Sequence, residues 1–222
     1  MIDESTSLRP PMAGEDIESV LALIRPIEGW FTEAEATELM RVAGRALSDL
    51  PVDHSVVEIG SYQGRSTVAL ASVMRRLRPG GRVVAIDPHE GEISSAGRAN
   101  EHRSPTYDAF CRNLETAGLV DAVRPVRQRS TDVAWQGPIG LLFIDGWHDY
   151  LSVVGDFLHF AQWVVPGGYV AFHDYSPSFP DVVRFVDEVR QPGEYESFSQ
   201  VGDLVVLRSP MVVPRQPDRS GE

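Results

Sequence analysis

Several stretches of this chain hold residues whose types and spacing could bind and activate a small molecule. The first is Val57-Glu58-Ile59-Gly60-Ser61-Tyr62-Gln63-Gly64-Arg65-Ser66. Glycines at both ends of a tight strand-to-helix turn let the backbone approach a ligand closely. The amides that open the helix can then hold a carboxylate. A glycine turn required for packing alone has the same pattern. The middle glycine of G-x-G-x-x-G is absent, so no pyrophosphate cradle is evident. Ala85-Ile86-Asp87-Pro88 ends a second apolar run with an acid suited to accepting hydrogen bonds from both hydroxyls of a ribose. In Arg129-Ser130-Thr131-Asp132, Ser130 stands where an adenine contact is expected. Two later runs end in Asp145-Gly146-Trp147-His148-Asp149-Tyr150 and in His173-Asp174-Tyr175.

These residues need a scaffold that brings them to one edge. Residues 16–24 read as a short helix. Thr32 opens a second, with Glu35 three residues later as a capping box. Ala36, Leu39, Met40, Ala43 and Leu47 give it an amphipathic face, and Pro51 ends it. Apolar runs at 55–59, 82–86, 122–126, 140–144 and 169–172 predict strands. Helices are expected at 66–77, 104–117, 150–164 and 179–189, with Pro166-Gly167-Gly168 closing the third of these. Segments 196–201 and 204–207 predict a hairpin around Gly202-Asp203. Strands alternating with helices imply an α/β fold: a mostly parallel, Rossmann-like sheet with helices on both faces and a C-terminal antiparallel hairpin. Right-handed crossovers bring the strand ends to one edge, where ligands bind. Residues 1–50 are expected to form an arm and helices over the site, 51–208 the ligand-binding domain, and 209–222 a flexible tail.

Composition narrows the chemistry. The formal net charge is −12 over 222 residues, and every basic residue is Arg. An acidic surface repels phosphate backbones and anionic lipid, so neither nucleic acid nor a membrane is expected as partner. The absence of Lys removes a P-loop lysine, a Schiff base and a lysine general base. The single Cys111 excludes an internal disulfide and reads as a small apolar filler. The first residues lack the pattern of a signal peptide and no apolar run is long enough to span a bilayer, so a cytoplasmic location is expected.

Taken together, E-I-G-S-Y-Q-G-R-S-T, A-I-D-P, F-I-D-G-W-H-D-Y and V-P-G-G-Y-V-A-F-H-D-Y resemble a group of small bacterial class I methyltransferases. That group includes O-methyltransferases of natural-product pathways and is distantly similar to catechol-type O-methyltransferases. The resemblance runs from Gly29 to Leu207. It implies a pocket for S-adenosylmethionine (SAM) built from Glu58, Gly60, Ser61, Gly64, Ser66, Asp87 and Ser130, with Asp145 beside it. It also implies a divalent metal such as Mg²⁺. The catechol-type positions are matched by Asp145, Asp174 and Tyr175. Tyr175 departs from the amide usual there, and His173 is the alternative ligand. Consecutive strand residues face opposite ways, so His173 and Asp174 can act together only if the strand has ended and curled. Asp145 as a strand-end capping acid, with Asp174 orienting His173, is the bland alternative.

His148 occupies the position where catechol-type relatives carry a lysine base. An imidazole with a pKa near ~6.5 takes a proton at neutral pH. The catalytic set is therefore His148, His173 and Asp145. Trp30, Trp147 and Tyr175 are candidate walls for a small-molecule acceptor, or core. His89 reads as a solvated loop histidine, with a place facing the pocket as the alternative. The expected reaction is O-methylation of a sugar or phenol in bacterial secondary metabolism, by a chain that could form a homo-oligomer. N-methylation and a hydroxylase-like role in a sister branch stay open, as do a nicotinamide-dependent oxidoreductase and a non-catalytic SAM-binding protein.

Overall fold

A computed structural model describes residues 12, 14–50, 53–93, 101–102, 104–190 and 194–211. The expected loose arm and tail fall largely outside the described residues. In chain order the elements are α1 (Gly14–Ile24), α2 (Glu33–Asp49), β1 (Ser55–Ile59), α3 (Arg65–Leu77), β2 (Val83–Ile86), β3 (Glu92–Ile93), β4 (Glu101–His102), α4 (Tyr107–Thr116), β5 (Val123–Val126), β6 (Ile139–Ile144), α5 (Tyr150–Ala161), β7 (Val164–Phe172), α6 (Pro180–Val189), β8 (Glu196–Val201) and β9 (Leu204–Arg208). Short 3₁₀ turns precede β5 (Val120–Ala122) and follow it (Ser130–Asp132).

Seven strands form one sheet in the order β5-β2-β1-β6-β7-β9-β8. All neighbours pair in parallel except β9, which runs antiparallel to β7 and β8. The order reverses between β1 and β6, so the C-terminal ends of β1, β2, β6 and β7 open onto one crevice.

Period-2 alternation divides the core. Val56, Val83, Ala85, Leu141, Phe143, Tyr169 and Ala171 face the side covered by α1, α2, α3 and α4. Val57, Ile59, Val84, Ile86, Leu142, Ile144, Val170 and Phe172 face α5 and α6. Burying each large apolar side chain contributes about 1.5–3 kcal/mol. The same parity sends Glu58, Asp145 and His173 toward the first side, and this decides their roles.

Local signals explain most boundaries. The capping box is present: the Thr32 side chain accepts from Glu35 N, and Glu35 Oε2 accepts from Thr32 N at 2.7 Å. Three expectations need correction. Helix α5 stops at Ala161 and β7 begins at Val164, so Pro166-Gly167-Gly168 lies inside a strand. The partner of β6 jumps from Val164 to Tyr169 across those residues, a bulge where a proline breaks no needed ladder bond. Helix α4 starts at Tyr107 behind Thr106 rather than at 104, and the Thr106 hydroxyl is hydrogen-bonded to His89 Nδ1 at 2.8 Å. His89 is correspondingly buried, not solvated. Among the described residues, no helix is long and apolar enough to cross a membrane.

Candidate active site

A cavity of about 1040 Å³ opens at the C-terminal ends of the parallel strands. Its floor is Ile59, Gly60, Ser61, Ile86, Asp87 and Asp145; Ser130 and α5 close one end, and Phe31, Glu35, His173 and Asp174 the other.

At the floor, β1 and β6 approach so closely that only glycine fits. Gly60 donates its N–H to Ile86 O at 2.9 Å, and Asp145 donates to Ile59 O at 2.9 Å. Gly60 has φ +83°, and a Cβ there would lie 2.0 Å from the Asp145 carbonyl oxygen. The Asp87 carboxylate accepts from the backbone N–H of Tyr62 at 2.8 Å and of His89 at 2.6 Å, which hold it at the cavity edge. Ser61 is buried and lines the cavity, and its hydroxyl has no hydrogen-bond partner among the described residues.

Glu58, Gly64 and Ser66 stand differently. Glu58 is fully buried on the α3 side and does not line the cavity; it accepts hydrogen bonds from the hydroxyls of Ser66 (2.6 Å) and Thr67. It ties β1 to the first turn of α3 and acts by positioning that turn. Gly64 is the N-cap of α3, packed over Phe110 outside the cavity wall, whereas Ser66 reaches the wall. Burial pushes the Glu58 carboxyl up to about 8, against the pull of the two hydroxyls. The folded state therefore holds a proton there that the unfolded chain releases near pH 4.5. Stability from this group is full below that value and falls as pH rises toward 8, by up to about 1.4 kcal/mol per pH unit. Glu58→Gln should flatten that slope relative to wild type in urea unfolding at pH 5, 6.5 and 8. Parallel slopes for the two proteins would refute this protonation state.

At the other end, strand β7 finishes at Phe172 and Asp174 adopts φ +59°. This left-handed turn costs about 1–2 kcal/mol, and it lets consecutive His173 and Asp174 serve one cluster. His173 Nδ1 lies 3.1 Å from Asp145 Oδ1 and 3.2 Å from Asp174 Oδ2, while Nε2 faces Glu35 Oε2 at 3.5 Å. Burial disfavours its charge, but the three carboxylates outweigh burial and raise its pKa far above the ordinary value. Both ring nitrogens of His173 thus face carboxylates, which favour its protonated form. So engaged, His173 stands as a partner of the acids, whereas the base and metal-ligand roles expected of it fall more readily to His148.

The carboxylates respond in turn. Burial pushes Glu35 up, yet His173, Thr32 and the Asp203 N–H (2.8 Å) bring it down to about 2. Asp174 is penalised by burial and still lies well below the ordinary range because His148 and His173 bond it. Burial leaves Asp145 raised despite the imidazolium beside it.

His148 Nε2 stands 2.8 Å from Asp174 Oδ2, its ring set edge-on to Phe179 at 4.4 Å between centroids. Asp145, His148 and Asp174 each offer one donor atom, all within 4.8 Å of one another. Two carboxylates and an imidazole are a donor set that fits a divalent cation. Trp30 and Trp147 line the cavity. Tyr175 turns toward α6, donating to Asp187 at 2.9 Å.

Two wall residues escaped the sequence reading in these roles. Glu35 was legible only as a cap, although it lies four residues before Leu39 on the buried stripe of α2. Asp156 interrupts the apolar face of α5 between Val153 and Phe160. An acid on an apolar stripe is the signal in both cases.

Comparison with known proteins agrees with this architecture. A family model described as a methyltransferase domain matches residues 57–175. An uncharacterised protein of Acanthamoeba polyphaga mimivirus is 29% identical over 157 residues, 66% of this chain and 65% of that protein's length. The O-methyltransferase NovP superposes with a TM-score of 0.68 at 20% identity, over 82% of this chain and 83% of that one. The O-methyltransferase TomG of Streptomyces achromogenes, involved in tomaymycin synthesis and solved with SAM, gives a TM-score of 0.58 at 17% identity, over 90% of this chain and 92% of that one. With that match across more than half its length, and with this strand order and terminal antiparallel hairpin, the chain belongs to the methyltransferase-domain family of class I, SAM-dependent methyltransferases.

Proposed function

We propose that the protein transfers the methyl group of SAM to a hydroxyl oxygen of a small molecule, a sugar or phenol. The observation that carries this reading is the convergence of Asp145, His148 and Asp174 on the same cavity as Gly60, Ser61 and Asp87. Asp87 suits the ribose hydroxyls. Ser61 and the first amides of α3 suit the cofactor's amino-acid end. The aromatic rings of Trp30, Phe31 and Phe179 suit a flat or ring-shaped acceptor.

In the transfer, the acceptor oxygen forms a bond to the methyl carbon while the carbon–sulfur bond breaks. Its electron pair stays on sulfur, leaving S-adenosylhomocysteine. Holding the three atoms in line supplies a large part of the rate, up to about 7–11 kcal/mol as effective molarity. The hydroxyl proton passes to the His148 imidazole, and Asp174 stabilises the resulting charge. His173 balances Asp145 and Asp174 and fixes both. Alternatively, a divalent ion held by Asp145, His148 and Asp174 would supply a Lewis acid that lowers the hydroxyl pKa, with His148 then a ligand and not the proton acceptor.

The test is a metabolite extract incubated with SAM and read by mass spectrometry for a +CH₂ shift, with and without EDTA. A methylated product supports the reading, and no product from any extract counts against it. Turnover abolished by EDTA and restored by Mg²⁺ or Mn²⁺ assigns the ion to the three donors. Full turnover in EDTA leaves His148 and Asp174 as an unaided pair.

A further inference from the structure

His89 is buried, and no step above uses its ring. The ring does not line the cavity. It packs on α4 against Tyr107 and Phe110, with centroids 5.2 and 5.0 Å away. Its Nδ1 is hydrogen-bonded to the Thr106 hydroxyl, and the Thr106 N–H donates to His89 O at 3.2 Å. The loop after β2 is thus tied to the start of α4 through both the side chain and the backbone of one residue.

Among the described residues three other than glycine have positive φ: Tyr62 (+44°), His89 (+58°) and Asp174 (+59°). The first two are the residues whose N–H groups donate to Asp87, Tyr62 to Oδ2 and His89 to Oδ1. A left-handed backbone is unfavourable for a residue with a Cβ, and it persists only where the surroundings hold it. At His89 the holding group is the ring, packed on α4 and bonded to Thr106. Burial lowers the pKa of His89 against the pull of Asp87, whose Oδ1 lies 3.8 Å from Nδ1, so the ring stays neutral. A neutral ring makes no ion pair with Asp87. Each oxygen of that carboxylate therefore keeps a lone pair for a ligand hydroxyl.

We propose that His89 is a positioning residue: its imidazole, anchored on α4, holds the left-handed turn that aims Asp87 at the cofactor's ribose hydroxyls. This rests on the SAM reading above. A carboxylate free to rotate meets two hydroxyls in only a fraction of its rotamers. One clamped by two N–H groups is set before the ligand arrives, and the ligand is spared the cost of ordering it. His89 acts on the ligand only through Asp87, so its loss should be felt only by ligands that carry the hydroxyls.

The experiment is calorimetric titration of the full chain with S-adenosylhomocysteine and with its 2′,3′-dideoxy analogue. Wild type should bind the parent compound at least about tenfold more tightly, as expected for hydrogen bonds to a charged group. His89→Gly adopts the left-handed turn without strain but has no ring to hold it. It should bind the parent at least about threefold less tightly than wild type and the analogue equally well, so the preference shrinks. His89→Ala, which also lacks the ring, should show the same pattern. His89→Asn tolerates the left-handed turn and sets an amide atom near the place of Nδ1, so it should recover much of the preference. Circular dichroism checks that each variant is folded. A wild-type preference retained in His89→Gly and His89→Ala would overturn the proposal. So would equal weakening of both ligands, the mark of a merely structural role, or no recovery in His89→Asn. Equal wild-type affinity for the two ligands would take the ribose away from Asp87 and overturn it as well. Absence of any wild-type binding to S-adenosylhomocysteine would overturn the SAM reading itself, and this inference with it.

Discussion

His148→Ala should lower methyl transfer by about 10²–10⁴-fold while leaving SAM affinity nearly unchanged. The imidazole stands against Asp174 at 2.8 Å and lines the cavity. Removing it takes away the proton acceptor without touching Gly60, Ser61 or Asp87. The neighbours are poorer acceptors, because the carboxylates around His173 raise its pKa and the histidines beside Asp174 lower its own. The split matters more than the size of the loss. Steady-state turnover and SAM titration on the same preparation give it directly. A loss below about threefold would remove His148 from the proton path, and an equal loss of SAM affinity would place it with the cofactor.

Gly60→Ala should destabilise the fold by about 4 kcal/mol or more, a size reserved for backbone conflict in a core. The new Cβ would lie 2.0 Å from the Asp145 oxygen and 2.9 Å from the Gly146 nitrogen. Both are backbone atoms, pinned by the Gly60–Ile86 and Asp145–Ile59 hydrogen bonds, so no flexible side chain can yield. Domains of this size have only about 5–15 kcal/mol in total. Gly80→Ala is the control: φ is +87° there, but among the described residues nothing beyond its chain neighbours lies within 4 Å of the added Cβ. It should cost only the left-handed backbone penalty, about 1–2 kcal/mol. Urea unfolding of both variants checks the difference. Equal stabilities would mean that β1 and β6 do not approach as described.

Much of the scaffold was readable because its signals are local. Thr32 and Glu35 declare a helix start, Gly202-Asp203 a hairpin, and the alternating apolar runs a sheet buried on both faces. The misreadings come from tertiary context. Pro166-Gly167-Gly168 looks like a helix stop, and only the bulge against β6 shows that a strand passes through it. Glu58 looks like a ligand contact because it adjoins the glycine turn. Strand parity sends it instead to the Ser66 and Thr67 hydroxyls. His173 looks like a base because histidine usually is one. Its charge is favoured by Asp145 first, then by Asp174 and by Glu35, an acid 138 positions away in sequence that comes near only through the packing of α2 on the sheet. Asp145 and Asp174 were legible as a pair through the resemblance to catechol-type enzymes. The left-handed turn that curls Asp174 back toward His148 was not.

The decisive question is whether this cavity takes SAM, with Asp87 holding its ribose. Calorimetric titration of SAM into wild type and into Asp87→Ala measures that without knowledge of the acceptor. Wild type should bind one equivalent, and the variant should bind more weakly by about 1.5–3 kcal/mol, the worth of hydrogen bonds to a charged group. No binding of SAM to the wild-type protein, or equal affinity in the two, would contradict the account.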